Sequence, residues 1–235
     1  MVRYLIKFTK ESNIKFISHL DMQRTLHKII RRANLPIKYS KGFNPHMATS
    51  IAQPLSVGVY SDGEYMDIIL VEEIEEDEVV ERLNQYSVPG IKFKDAKKII
   101  QIENEKKVPQ GMALIDACRY TVKIKYSDTS NLSNEMDKLI AMNEGWVTIK
   151  KSKKGEKEVD IKPMIYEIKY WIKDNILIIN MLIQSGSRMH LSADLVCDYI
   201  KEKTTNAIED SFVEIKREEM YFLRDGKYYP LYNIV

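Results

Sequence analysis

Cysteine is nearly absent: the 235 residues hold only Cys118 and Cys197. Two thiols so far apart give neither a disulfide framework nor the close Cys and His spacing of a metal site, so both are expected as buried free thiols. No run nears the roughly 18 consecutive apolar residues of a membrane span. The opening, MVRYLIKFTKESNIKF, also lacks the charged-then-apolar layout of a signal peptide, so a cytoplasmic protein with no membrane partner is expected. The nine glycines form no phosphate-binding loop of the Walker type and no dinucleotide fingerprint, and there is no nucleophile elbow and no HExxH. Neither a cofactor nor a metal is expected. What is present is an ordinary soluble composition, 44% hydrophobic and 30% charged, long enough for one large domain or two smaller ones.

Net charge is only +2, but it is unevenly spread. Residues 1–60 hold ten cations against Glu11 and Asp21, a net +8, and residues 61–90 hold ten carboxylates against Arg82, a net −9. Such separation creates a local positive field for an anionic partner even when the total is small.

The alternation of VRYLIKFT predicts a strand over 2–9. Ser18 as N-cap, Asp21 as its capping-box partner, and Ile17 with Met22 as a staple predict a helix beginning at His19. Met22, Leu26, Ile29 and Ala33 form its apolar stripe, and Arg24, Lys28, Arg31 and Arg32 its basic one, with His27 beside them. Leu35-Pro36 ends it. PIKYS, PLSVGVYS and EYMDIILV read as strands, the last two joined by a turn at Ser61-Asp62-Gly63. An acid-rich helix over 75–87 and a strand over 91–100 follow, the acidic start suiting the helix dipole.

The order strand, helix, strands, helix, strand is that of a ferredoxin-like unit. After a polar linker at 102–111 the order repeats: strand 117–126, a helix around NEMDKLIAM, strand WVTIKK, hairpin strands YEIKYWIK and ILIINMLIQ, helix LSADLVCDYIKEK and strand VEIKREEMYFL. KKSKKGEKEVD reads as a charged hairpin or loop. The expected architecture is therefore α+β, two tandem ferredoxin-like βαββαβ units with antiparallel sheets, spanning 1–101 and 112–235.

Candidate chemistry gathers in the first half. The connector YSKGFNPHMATS, residues 39–50, carries far more functional groups than a simple join needs. His19 at a helix start, Arg24, Lys28, Arg31, Arg32 and Lys41 are suited to phosphates, while Tyr39 and Phe43 are suited to stacking on unpaired bases. Phe43 has the alternative of a core contact. Gly42 lets the backbone pass close to a ligand, and Asn44 and His46 can contact an exposed nucleotide. A second cluster, SGSRMHLS, places Arg188 and His190 before a helix capped by Ser192.

FISHLD (16–21), RR-A-LP (31–36), YS-GFNPH (39–46), PL-VG (54–58) and EY-DI (64–68) together resemble the bacterial radical-SAM-associated proteins, an uncharacterised family found alone or fused behind a radical S-adenosylmethionine domain. The resemblance implies RNA- or ribosome-linked work and a radical SAM enzyme or ribosome-associated protein as partner. The chain lacks the CxxxCxxC motif of the radical enzyme itself, and Met47-Ala48 stands where the family pattern usually has Pro-Lys.

Three functions follow as expectations. The first is a non-catalytic RNA-binding or substrate-presenting partner using the residues above, with RNA as its ligand. The second is a metal-independent endoribonuclease of tandem ferredoxin-like type, with His19 or His46 as acid or base and Tyr39 and Lys41 stabilising the transition state. The third is a protein-interaction module docking a radical SAM enzyme or a ribosomal protein. The sequence favours a non-catalytic role over an enzymatic one.

Overall fold

The computed structural model describes residues 1–101, 107–152, 155–187 and 189–234. By internal contact the chain divides into Met1–Asp116 with Arg217–Val235, and Ala117–Lys216. Arg217–Val235 thus groups with the first unit, whereas the sequence suggests a second unit of 112–235.

The first unit opens with strand β1 (Val2–Lys10), helix α1 (His19–Arg32), strands β2 (Thr49–Ile51) and β3 (Val59–Leu70), helix α2 (Glu76–Gln85) and strand β4 (Phe93–Ile99). It is completed by β10 (Glu214–Arg224), which belongs to it from Arg217 onward, and β11 (Lys227–Pro230). β1 pairs antiparallel with β3 and with β4, and β2 pairs antiparallel with β3. β10 lies on β3's other side along the sheet, and β11 pairs with β10.

Strand alternation sends Tyr4, Ile6 and Phe8 to one face of β1, where they meet Leu26 and Ile29 of α1 and Leu83 of α2 in the core. α1 begins where its cap signal places it: Ser18 Oγ accepts the Asp21 amide and donates to the Asp21 carboxylate. It ends as Asn34 turns into the left-handed region at φ 50°, a C-terminal position that asparagine tolerates.

Two expectations for this unit are corrected. Residues 61–63 form no turn, because β3 runs unbroken from Val59 to Leu70. Gly63 is there for close approach: a Cβ on it would stand 2.7 Å from the Glu218 carbonyl of β10. Nor is PIKYS a strand, since only isolated bridges, Ile37 with Leu70 and Tyr39 with Met47, form there.

The second unit contains β5 (Ala117–Lys125), α3 (Leu132–Ala141), β6 (Val147–Ser152), β7 (Gly155–Asp160), β8 (Ile165–Lys173), β9 (Ile176–Gln184) and α4 (Ala193–Lys203). β9 pairs antiparallel with both β5 and β8, and β6 with β7 makes the charged hairpin a separate two-stranded ribbon. Trp146 stacks on Tyr199 with centroids 5.1 Å apart. Cys118 and Cys197 are buried and free. The protein is thus a mixed α+β structure with antiparallel pairing throughout the described ladders. Among the described residues no helix is long and apolar enough to cross a membrane, and no group of three metal-ligating side chains occurs. Residues 102–106 of the expected linker lie outside the described residues.

Candidate functional site

The connector after α1 folds into a small closed loop. Tyr39 bridges Met47, the Ser40 amide donates to the His46 carbonyl at 2.8 Å, and the His46 amide donates to Ser40 Oγ at 2.9 Å. Gly42 makes the turn possible at φ 128°, a conformation other residues rarely adopt. Everything from Tyr39 to His46 is exposed. Phe43, at the tip, is 100% exposed. The alternative of a core contact for Phe43 is therefore excluded.

The root of this loop meets the basic face of α1. His27 Nε2 lies 2.8 Å from Thr49 Oγ1, three residues past His46. Burial, then the charges of Arg31 and His46, pull the His27 imidazole below its ordinary range. Arg31 and His46 are thus both near enough to His27 to act on it electrostatically. Arg24, Lys28, Arg31 and Arg32 are all exposed. Arg24 pairs with Asp21 at 3.1 Å in an exposed contact, a pairing of little strength. Among the described residues no carboxylate pairs with Lys28, Arg31, Arg32 or Lys41.

The structure brings Arg31, His27, His46 and the loop together, but not His19. Eight residues of helix separate His19 from His27, about 12 Å along the axis. His19 lines a different feature, a narrow pocket at the start of α1, with Ser18, Ile17, Phe8, Leu55 and Glu64 among its walls. Three segments that carry the family resemblance, FISHLD, PL-VG and EY-DI, each contribute to it.

Beneath that pocket lies a buried charge cluster that composition alone does not reveal. Lys10 and Glu64 are each 3% exposed and Arg217 1%. Arg217 donates to both oxygens of Glu64, at 2.6 and 2.5 Å through Nη2 and at 2.9 Å through Nε. Lys10 Nζ donates instead to two carbonyls, Lys15 at 2.9 Å and Ile17 at 3.1 Å. Burial pushes the Glu64 carboxyl up against the pull of Arg217, and burial lowers Lys10. The only sequence signal for these residues was a charge within an otherwise apolar alternation: FTK in β1, GEYMDI in β3 and EIKR in β10.

In the second unit, Arg188 lies outside the described residues. Ser192 caps α4 as its sequence suggests, accepting the Leu195 amide at 3.3 Å. His190 Nδ1 lies 3.2 Å from Ser185 Oγ, and its carbonyl accepts from Lys150 at 2.9 Å.

The model of a family described as uncharacterised proteins conserved in bacteria, DUF2344, matches residues 3–193. No curated protein matches the chain. Among solved structures, a chain in a Cbf5–Nop10–Gar1 complex is similar with TM-score 0.49 and 10% identity over 92% of this chain. This chain spans only 48% of that one's length. An unknown protein from Galdieria sulphuraria aligns over 92% of this chain and 97% of its own, at 8% identity and TM-score 0.26. A protein described as a putative glycine cleavage system transcriptional repressor aligns over 92% of this chain and 96% of its own, at 9% identity and TM-score 0.22.

Proposed function

We propose that this chain, which belongs to the DUF2344 family of uncharacterised proteins conserved in bacteria, is a non-catalytic binder of single-stranded RNA. The observation that carries the reading is Phe43, fully exposed at the tip of a hydrogen-bonded loop whose root adjoins the cationic face of α1. An aromatic ring held in water beside unpaired cations is the arrangement by which single strands are bound: bases stack on the ring and phosphates follow the cations. In this reading Phe43 and Tyr39 take bases, Asn44 and His46 touch base or sugar, and Lys41, Lys28, Arg31, Arg32 and Arg24 hold phosphates. Gly42 supplies the turn. His19 stands apart from this surface and is not used.

The resemblance of the motifs to radical-SAM-associated proteins supports a partner role, with the chain presenting RNA to a radical SAM enzyme or working beside a ribosome-associated protein in the cytoplasm. The first unit's strand order, β4-β1-β3 with β2 on β3, supports a ferredoxin-like reading, with the second unit as its tandem repeat. The test is anisotropy binding of mixed cellular RNA fragments over a salt series, comparing wild type with an Arg31→Glu/Arg32→Glu/Lys41→Glu variant. Steeply salt-dependent binding that the folded variant loses is expected. Binding that the variant retains would move the reading to another surface, and no binding by wild type would move the cations to a protein partner.

One observation favours a second reading, metal-independent RNA cleavage: two histidines, His27 and His46, share this surface with Arg31. A neutral imidazole can take a 2′-hydroxyl proton while a second group protonates the departing 5′-oxygen, giving a cyclic phosphate and a free hydroxyl. RNA left intact after long incubation in chelator would end this reading without touching the first.

A further inference from the structure

We propose that the second unit binds single-stranded RNA on the open face of its sheet, with a base stacked on Trp171 and phosphates on Lys125, Lys169 and Lys173. The proposal rests on the reading of the chain as an RNA binder and adds a contact on a surface other than the connector. Strand alternation gives this sheet two unlike faces. One carries Tyr120, Val122, Ile124, Leu177, Ile179 and Met181, all buried, and on it the Tyr170 hydroxyl donates to Asp137 of α3 at 2.5 Å. The other face closes at one end through its own charges. There Glu167, Leu182 and Arg119 lie opposite one another on β8, β9 and β5, and Arg119 donates to Glu167 at 2.7 Å across Leu182, which is 1% exposed. One row on, Asn180 accepts from Arg119 at 2.9 Å and donates to Thr121 at 3.0 Å.

Toward the other end the pairing runs out. Trp171 lies opposite Ile178, and Lys173 opposite Ile176, which in turn faces Lys125. Trp171 is 47% exposed, and Lys125, Lys169 and Lys173 are exposed around it. Lys123 pairs with Glu214 at 2.9 Å, but among the described residues no carboxylate pairs with the other three lysines. Lys169, Trp171 and Lys173 occupy alternate positions of β8, so cation, ring and cation follow one another on one face at steps of about 6.6 Å. A single strand offers phosphate, base and phosphate in the same alternation, and Ile176 and Ile178 continue the apolar floor beside the ring. β8 is an edge strand, and lysine alone would discourage it from pairing with another chain. An exposed indole between the lysines has no part in that task. An acidic protein segment would match the lysines and leave the indole without a stacking partner.

The test is a titration of the full chain with an unstructured oligouridine, read by anisotropy of the labelled RNA and by tryptophan emission. The other tryptophan, Trp146, is 2% exposed and stacked on Tyr199, so quenching by RNA reports on Trp171. Saturable quenching that tracks the anisotropy is expected. Trp171→Ala should weaken binding at least about fivefold, the loss of one stacked base, whereas Trp171→Phe should keep affinity within about twofold and lose the quenching. Lys169→Glu/Lys173→Glu, both at exposed positions, should weaken binding and quenching together. RNA binding with no quenching, or with wild-type affinity in folded Trp171→Ala, would overturn this proposal and leave the connector reading standing. Binding and quenching that both survive Arg31→Glu/Arg32→Glu/Lys41→Glu would uphold this face and overturn the connector. No RNA binding by wild type would overturn both. Equal quenching by poly-glutamate would assign the face to an acidic protein segment and overturn the proposal.

Discussion

Arg217 and Glu64 lie 153 residues apart in the chain and meet as a buried bidentate ion pair, with the guanidinium of β10 against the carboxylate of β3. The pair ties the C-terminal segment to the N-terminal sheet within the first unit. Lys10, beside the pair, donates its hydrogen bonds to the Lys15 and Ile17 carbonyls.

That arrangement makes the two partners unequal to remove singly and jointly. Arg217→Met strands a buried carboxylate and should cost about 3–5 kcal/mol, whereas Arg217→Met with Glu64→Gln should recover most of that loss. Urea unfolding of the two variants checks this. Equal destabilisation by the single and double variants would mean that the contact matters for shape and not for charge.

Gly63 offers a sharper test of the sheet. Alanine there would bring a Cβ to 2.7 Å from the Glu218 carbonyl, and overpacking of this kind costs about 1–3 kcal/mol. A shift of the urea midpoint to lower concentration is expected. Unchanged stability would argue that residues 61–63 are an open turn after all.

The contrast between Gly63 and Ser18 explains what could be read in advance. The start of α1 is written locally: a cap, its partner three residues on, and an apolar stripe that the helix buries as Met22, Leu26, Ile29 and Ala33. Most strands of both units are likewise visible as local alternation. Gly63 looked like a turn because Ser-Asp-Gly is turn chemistry, and its actual reason, the backbone of β10, is more than 150 residues away. The same holds for the buried charges. Lys10 read as one cation among ten, since nothing near it in sequence reveals that two carbonyls and a helix end enclose it. In the connector, the residue types pointed to the loop, but only its closure by Ser40 and His46 distinguishes an exposed Phe43 from a packed one.

His27 should make stability pH-dependent. Its folded pKa is lowered from 6.5, so the unfolded chain binds the proton more readily, and stability rises with pH across the window below that value. The contribution is complete above the unfolded pKa and is lost as pH falls toward the folded one. Relative to His27→Gln, wild type should lose stability on acidification from about pH 7.5 to 5.5, a window set by the ordinary histidine pKa. Thermal or urea unfolding at several pH values reads the difference. Parallel curves for the two proteins would contradict the burial of His27 against Thr49.

The most direct test of the RNA-binding account is the affinity of wild type and Phe43→Ala for an unstructured RNA oligonucleotide, measured by anisotropy over a salt series. Removing one stacked base should cost about 1–3 kcal/mol. The salt slope, about −0.7 per phosphate for single strands, should be the same in both proteins, because alanine at the tip removes stacking and no cation. An undiminished affinity in Phe43→Ala, or no salt-dependent binding by wild type, would contradict the account.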